Sequence, residues 1–337
     1  MKIVIDAFGG DYAPEEIVEG AVLSVQKHKD LEIILTGDKE KIEKVLAGRN
    51  ERISVSDAKD IITNDDVPTE AIRKKKESSL VRAFDILKED DDCIALISAG
   101  STGAILTGAI MKIGRIRGIS RPCLAPILPT KKGDKKVMLA DSGANIDCKP
   151  LNLLHFAIMG SAYYSIMYGE ESPKVALLNN GTEEHKGCEL VRETYPLMKK
   201  LPINFVGNVE AREYMSGDID VMVADGFAGN VLLKGTEGAV AALLSQLKAS
   251  IKSSFSAKIG YLFMKKAFKS LKNKVDINKH GGSPFLGVKK LIMKNHGTSK
   301  RSNIVATVDN AIFLHERKLI SKIEENVAKM ASVGEQE

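Results

Sequence analysis

Five clusters of small and polar residues hold most of the chemistry that this chain can offer. They are Asp6-Ala7-Phe8-Gly9-Gly10-Asp11, Ser98 to Gly103, Asp141-Ser142-Gly143-Ala144-Asn145, Asn179 to Gly187, and Asp225-Gly226-Phe227-Ala228-Gly229-Asn230. In the second, an apolar run ends at Ser98 and gives way to Ala99, Gly100, Ser101 and Thr102, where a helical pattern begins. A helix N-terminus exposes unpaired N–H groups and carries partial positive charge. Small residues let a ligand reach that backbone, and the hydroxyls of Ser98, Ser101 and Thr102 add donors. The stretch predicts an anion site, for phosphate above all. It is neither a GxxxxGKS/T loop nor a GxGxxG turn, which argues against ATP and NAD. In the fourth cluster Glu183, Glu184 and His185 precede Lys186. Acids beside a lysine can orient it or tune its pKa, although such a run alone reads equally as solvated charge. His296, in NHGTS, suits proton transfer or a phosphate contact, and equally the capping of a turn.

The clusters follow short apolar runs rich in β-branched residues: 2–6, 32–37, 93–98, 137–141, 174–179, 203–207 and 220–225. Several are almost continuously apolar, as strands covered on both faces are. Helical patterns lie between them at 14–27, 69–89, 102–113, 150–168 and 187–200. This alternation predicts an α/β fold of three layers around a mostly parallel sheet. Ligands in such sheets bind outside the carboxyl ends of the strands, so the five clusters are expected to line one crevice. Residues 119–141, with Pro122, Pro126 and Pro129 and then Lys131-Lys132-Gly133-Asp134, break the rhythm and read as a hairpin or extended arm.

The bulk numbers narrow the classes. At 337 residues, with no repeat and no linker, a single domain over 1–337 is expected. A formal charge of +5 and 5% aromatic residues offer little to a nucleic acid. The opening MKIVIDAFGGD reads as a strand rather than a signal peptide, and no run reaches the roughly 18 apolar residues of a membrane span. Cys93, Cys123, Cys148 and Cys188 are far apart and form no CxxC. Reduced thiols in a cytoplasm are the simplest reading, and neither a metal site nor a cofactor is expected.

Nine segments in order, DAFGGDYAP, SAGSTGA, RPCLAPILPT, DSGAN, NNGTEEHKG, GNVEAR, DGFAGNVLLKGTEG, GGSPFLG and HGTS, resemble the bacterial phosphate acyltransferases of phospholipid synthesis, the PlsX family. The resemblance runs from Met1 to about Lys322. Phe8, Ser101, Ser142, Ala228 and His280 stand where that family usually has Met, Asn, Val, Thr and Tyr. The resemblance implies a fold related to phosphotransacetylases and isocitrate-dehydrogenase-like enzymes, and a homodimer. It implies a reaction in which acyl-[acyl carrier protein] and inorganic phosphate give acyl phosphate, the precursor of phosphatidic acid. Phosphate is itself the nucleophile, so the protein must position it and stabilise the developing oxyanion. Lys186, Asn230 and His296 are the expected catalytic residues. Asp6, Gly9, Gly10, Ser98, Gly100, Ser101, Thr102, Gly103, Asn145, Glu183, Asp225, Gly226, Gly281 and Gly282 are the expected phosphate- and substrate-binding residues. An acyl-enzyme on Cys188 is the less favoured route, since no His–Cys pairing is evident and the cysteine is expected to pack on helix 187–200. A phosphotransacetylase-like enzyme using acyl-CoA, and a non-catalytic anion-binding protein, are the alternatives.

Two segments suggest partners. The proline-bounded strands of 119–141 would leave an exposed edge, so they are expected to form a dimer arm. Residues 247–276 read as a protruding basic amphipathic helical segment, a long helix or a pair. Ile251, Phe255, Ile259 and Phe263 follow at i+4 steps, with Leu262, Phe268 and Leu271 beside them. Lys248, Lys252, Lys258, Lys265, Lys266, Lys269, Lys272 and Lys274 accompany them with no acid between. This pattern suits an anionic membrane surface, with Phe255, Ile259, Leu262 and Phe263 as the contact, or the acidic surface of acyl carrier protein. Packing against a partner subunit would serve the same stripe. The expectation is a cytoplasmic protein held peripherally at the membrane, near the membrane acyl-phosphate glycerol-3-phosphate acyltransferase that consumes its product.

Overall fold

In this computed structural model residues 1–275 and 281–334 are described. Residue 276, at the end of the amphipathic segment, and His280 lie outside them, and the side chain of Lys272 is likewise not described. Two sheets organise the chain. The first contains β1 (Lys2–Asp6), β2 (Glu32–Gly37), β3 (Ile53–Asp57), β4 (Cys93–Ser98), β5 (Cys123–Leu124), β11 (Ser283–Leu286) and β12 (Leu291–Lys294), in the order β3-β2-β1-β4-β12-β11-β5. The second contains β6 (Ile127–Pro129), β7 (Lys136–Ala140), β8 (Lys174–Asn179), β9 (Asn204–Glu210) and β10 (Val221–Val223), in the order β6-β7-β10-β8-β9. Pairing is parallel except at β11–β12, β11–β5 and β6–β7.

Strand alternation explains the layers. Ile3 and Ile5 of β1 face one apolar cluster and Val4 the opposite one. Val137 and Leu139 of β7 face a third cluster, while Met138 and Ala140 face the first. Strands apolar on both sides must be covered on both sides. Helices α1 (Glu15–Lys27), α2 (Lys39–Leu46), α6 (Pro150–Tyr168), α10 (Arg301–Glu316) and α11 (Leu319–Gly334) contribute to the shared cluster. Helices α3 (Pro68–Lys74), α4 (Ser79–Glu89) and α5 (Thr102–Gly108) cover the far face of the first sheet. The start of α8 (Gly226–Ser253) covers the far face of the second. Helix α6 is apolar nearly all round and is accordingly buried from Asn152 to Tyr164. With α7 (Glu189–Met198) and α9 (Phe255–Val275), this is the expected three-layer α/β fold.

Two expectations are corrected. The pattern at 69–89 is two helices, because Ser78 caps a new one, its hydroxyl accepting the N–H of Val81 at 3.4 Å. The 102–113 helix keeps α geometry only to Gly108 and widens into a π turn over Ala109–Ile113. Of the two forms expected for residues 119–141, the hairpin is the one found. These residues link the sheets: β5 closes the first against β11, and the hairpin β6–β7 edges the second.

The basic amphipathic stretch is a helical pair, the end of α8 followed by α9, which pack on each other. Extended Ser254 separates them, so Ile251 and Phe255 lie on different helices. Beyond Thr236 no described side chain in either helix is buried. Among the described residues no helix is long and apolar enough to cross a membrane.

Candidate active site

The carboxyl ends of β1, β4 and β12 lie side by side, since β4 pairs with both β1 and β12. The loops that leave this edge are stitched together. The Asp11 N–H donates to the Gly297 carbonyl at 2.8 Å, and the Asn295 N–H to the Ser98 carbonyl at 2.9 Å. Beneath them the buried Asp6 carboxylate accepts the Ser98 hydroxyl at 2.7 Å, and Ser98 Oγ accepts the Gly100 N–H at 3.0 Å. Burial raises the Asp6 pKa, and the donors from Ser98 and the loop backbone oppose that rise. Close approach excludes side chains here: a Cβ at Gly9 would stand 2.7 Å from the Gly100 nitrogen. Gly10 has φ +102°, a conformation that favours glycine.

These loops form one wall of a cleft of about 930 Å³. Gly9, Gly10, Gly100, Ser101 and Thr102 line it, with Gly281 and Gly282 and with Lys294 to Gly297. The Ser101 side chain makes no cap to α5, so the first N–H groups of that helix have no side-chain acceptor from it. The opposite wall is largely apolar, with Ile127, Tyr163, Met167 and Leu233, and with Lys234 and Glu237 among them.

Asn230 reaches that second wall because a second network fixes the start of α8. The buried Asp141 carboxylate accepts the N–H groups of Leu124, Ser142 and Asn145 at 2.8, 2.7 and 2.7 Å. It also accepts the Asn145 side-chain amide at 3.0 Å. That amide donates as well to the Pro122 carbonyl at 2.7 Å, and the Asn145 carbonyl accepts the Gly226 N–H at 2.7 Å. Asp225 caps the helix, accepting the N–H groups of Phe227 and Ala228 at 2.9 Å. One turn on, Asn230 packs on Gly143, where a Cβ would lie 3.3 Å from its Cγ.

The expected residues thus divide by position. Gly9, Gly10, Gly100, Ser101, Thr102, Asn230, Gly281, Gly282 and His296 line the cleft. Asp6, Ser98, Asn145, Asp225 and Gly226 stand behind it and hold the loops. Gly103 abuts Pro68, whose Cγ would lie 2.9 Å from an added Cβ. Glu183 and Lys186 are not on the cleft wall: they pair with each other at 3.2 Å on the exposed exit from β8. That exit is one strand beyond the β10 exit carrying Asp225, which is why Lys186 and Asn230 do not share a wall. Cys188 is exposed at the start of α7, not packed on it, and does not line the cleft.

His296 is in part the turn cap: its Nδ1 accepts the Thr298 N–H at 3.2 Å and lies 2.8 Å from Thr298 Oγ1. A neutral ring with Nδ1 as acceptor carries its proton on Nε2. Lys294 and Asn295 are among the lining residues that sequence reasoning missed. The signal was present, for LIMK is an apolar run ending directly before NHGTS, the same arrangement as the other strand exits.

The model of a family described as "Fatty acid synthesis protein" matches residues 1–322. The phosphate acyltransferase of Clostridium perfringens strain SM101 is 44% identical over 333 residues, covering 98% of this chain and 97% of the relative. That of Alkaliphilus oremlandii is 48% identical, with 98% of each chain covered. Among solved structures, a phosphotransacetylase from Streptococcus pyogenes superposes with TM-score 0.59 at 19% identity, covering 93% of this chain and 94% of the other. A branched-chain phosphotransacylase from Enterococcus faecalis gives 0.54 at 13% identity, covering 92% and 98%. At those identities the two structures bear on the fold alone.

Proposed function

The chain belongs to the fatty acid synthesis protein family, alongside the phosphate acyltransferases, and on that premise we propose that it transfers a fatty acyl group from a carrier thioester to inorganic phosphate. The observation that carries this reading is the two-walled cleft, with glycine backbone, hydroxyls and a lysine facing a largely apolar wall. Phosphate fits the first wall and an acyl chain the second. A phosphate oxygen attacks the thioester carbon, the carbonyl oxygen becomes an oxyanion, and the thiolate leaves as the acyl phosphate forms. The Asn230 amide and loop N–H groups are the donors for the oxyanion. Holding both reactants in one cleft supplies most of the orientation the step needs.

Acyl carrier protein is the proposed thiol donor, rather than coenzyme A. Lys186, on the neighbouring strand exit, is then a cation outside the cleft wall that meets the incoming carrier, and His296 offers its Nε2–H. The proposed working form is a homodimer at the membrane surface. Its support is the open outer edge of β6 and the exposed apolar and basic side chains of α9.

The test follows thiol release from palmitoyl-carrier protein and from palmitoyl-CoA, each with and without inorganic phosphate. The expected result is phosphate-dependent release and acyl phosphate formation, faster with the carrier protein. Faster turnover of acyl-CoA would make this a phosphotransacetylase-like enzyme. Release independent of phosphate would overturn the proposal.

A further inference from the structure

Lys294 ends β12 directly opposite Ser98 of β4, so it enters the cleft at the edge where the small-residue loop begins. It is half-buried, and among the described residues no carboxylate lies within ion-pairing distance of its ammonium. Its Nζ donates to the Asn295 carbonyl. Asp11, on the β1 loop, is the acid that acts on it, from a longer distance. Burial outweighs that attraction and pulls the ammonium down to about 8, so the cation is kept at neutral pH without a local counter-ion.

The next residue adds an independent sign of a missing ligand. Asn295 lines the same cleft with 1% of its surface exposed, and neither its Oδ1 nor its Nδ2 has a hydrogen-bond partner among the described residues. A buried amide left wholly unpaired is costly, and native interiors avoid it. Its position is fixed, because its own N–H is tied to the Ser98 carbonyl and a Cβ at Gly282 would lie 2.6 Å from Oδ1. A half-buried cation with no acid in ion-pairing range, beside an amide with no partner among the described residues, is a site whose balancing group arrives from outside. That group must be small, anionic and rich in acceptors.

We propose that Lys294 is the cation that holds the phosphate nucleophile, with the Asn295 amide as a second donor to the same anion. The assignment rests on the acyl transfer reading and adds to it: the phosphate subsite lies at the β12–β4 edge. Phosphate there stands beside the Gly100 to Thr102 backbone and is carried by a residue outside the five clusters. Lys186 is then not the phosphate ligand.

The experiment compares wild type, Lys294→Met and Lys294→Arg. Each is assayed for acyl phosphate formation against phosphate and against acyl donor, and titrated with inorganic phosphate alone by calorimetry. Met keeps the length of the apolar stem, so the fold is expected to survive. The expected result for Lys294→Met is a KM for phosphate raised at least tenfold, with KM for the acyl donor within about twofold. Calorimetric phosphate binding should weaken by a similar factor, and Lys294→Arg should recover part of both. An unchanged KM for phosphate, or equal loss toward both substrates, would overturn the assignment. Should Lys294→Met not fold, Lys294→Gln is read in the same two assays by the same criteria. If the wild type binds phosphate but makes no acyl phosphate, the acyl transfer reading fails while the calorimetric comparison still decides Lys294.

Discussion

An alanine methyl at position 9 would stand 2.7 Å from the Gly100 nitrogen and 2.8 Å from both Asp6 Oδ2 and Ser98 Oγ. Two of these atoms belong to the buried Asp6–Ser98 pair that shapes the loop, so the neighbours cannot yield without breaking it. Gly9→Ala is therefore expected to lower kcat/KM by at least tenfold and to destabilise the fold by roughly 1–3 kcal/mol, the usual range for overpacking. Steady-state kinetics and a thermal melt check this, and near-normal turnover would contradict it. At this scale much of the site was legible in the sequence. Glycines and hydroxyls after an apolar run announce a backbone-built anion site, and Gly9, Gly10, Gly100, Ser101 and Thr102 all line the cleft. Asp6 and Asn145 look like ligands in sequence, but both point into the scaffold. A carboxylate's partners are set by tertiary contacts that no local pattern displays. Lys294 was hidden for the opposite reason, since a lysine ending a short strand has the appearance of ordinary surface charge.

Helices α1 and α10 come from opposite ends of the chain and are clasped by ion pairs, Lys27 with Asp309 at one end and Arg301 with Glu16 at the other. Arg301 donates to Glu16 through Nε at 3.0 Å, Nη2 at 2.7 Å and its own backbone N–H at 2.8 Å. These contacts hold the Glu16 carboxyl down at about 2, against an ordinary value of 4.5. A depressed carboxylate adds stability that is present above the unfolded pKa and is lost as pH falls through the folded one. Glu16→Gln is expected to lower the melting temperature by a few degrees at pH 7. The gap from wild type should close between about pH 4.5 and pH 2, and a gap that widens on acidification would refute the linkage. At the other extreme of packing stands α9, where Phe255 and Phe263 are 78% and 86% exposed, with Leu262 at 69%. Changing Phe255, Ile259, Leu262 and Phe263 to serine should release the protein from anionic vesicles without loss of turnover on soluble substrate. Vesicles that still sediment the variant would exclude this face as the anchor, and an unfolded or monomeric variant would show it to be a packing surface. Most of the β1–β10 rhythm was readable from apolar runs, because strands covered on both faces are continuous in sequence. Strands β3 and β11 were not, being short or, in ISVSD, half polar.

Across the whole molecule the two sheets share one apolar cluster, and the cleft opens where their strand exits face each other. The outer edge of the second sheet at β6 is one that a partner strand could cover. Sedimentation at micromolar concentration is expected to give twice the 36.6 kDa of the chain, and a monomer would count against the dimer. In the first sheet the interior position between β4 and β11 belongs to β12, residues 291–294, nearly two hundred positions after its neighbour β4. As the ribosome delivers the chain from its amino end, β1 to β4 emerge early and must wait with a flank of β4 unpaired. Long-range pairing of this kind is slow. Throughout that wait the glycine loops exist but the lysine that would complete them has not been synthesised. Catalytic competence therefore arrives late in translation, after α8 and α9 have left the tunnel, so a nascent chain can meet a surface through those helices before it has a finished cleft.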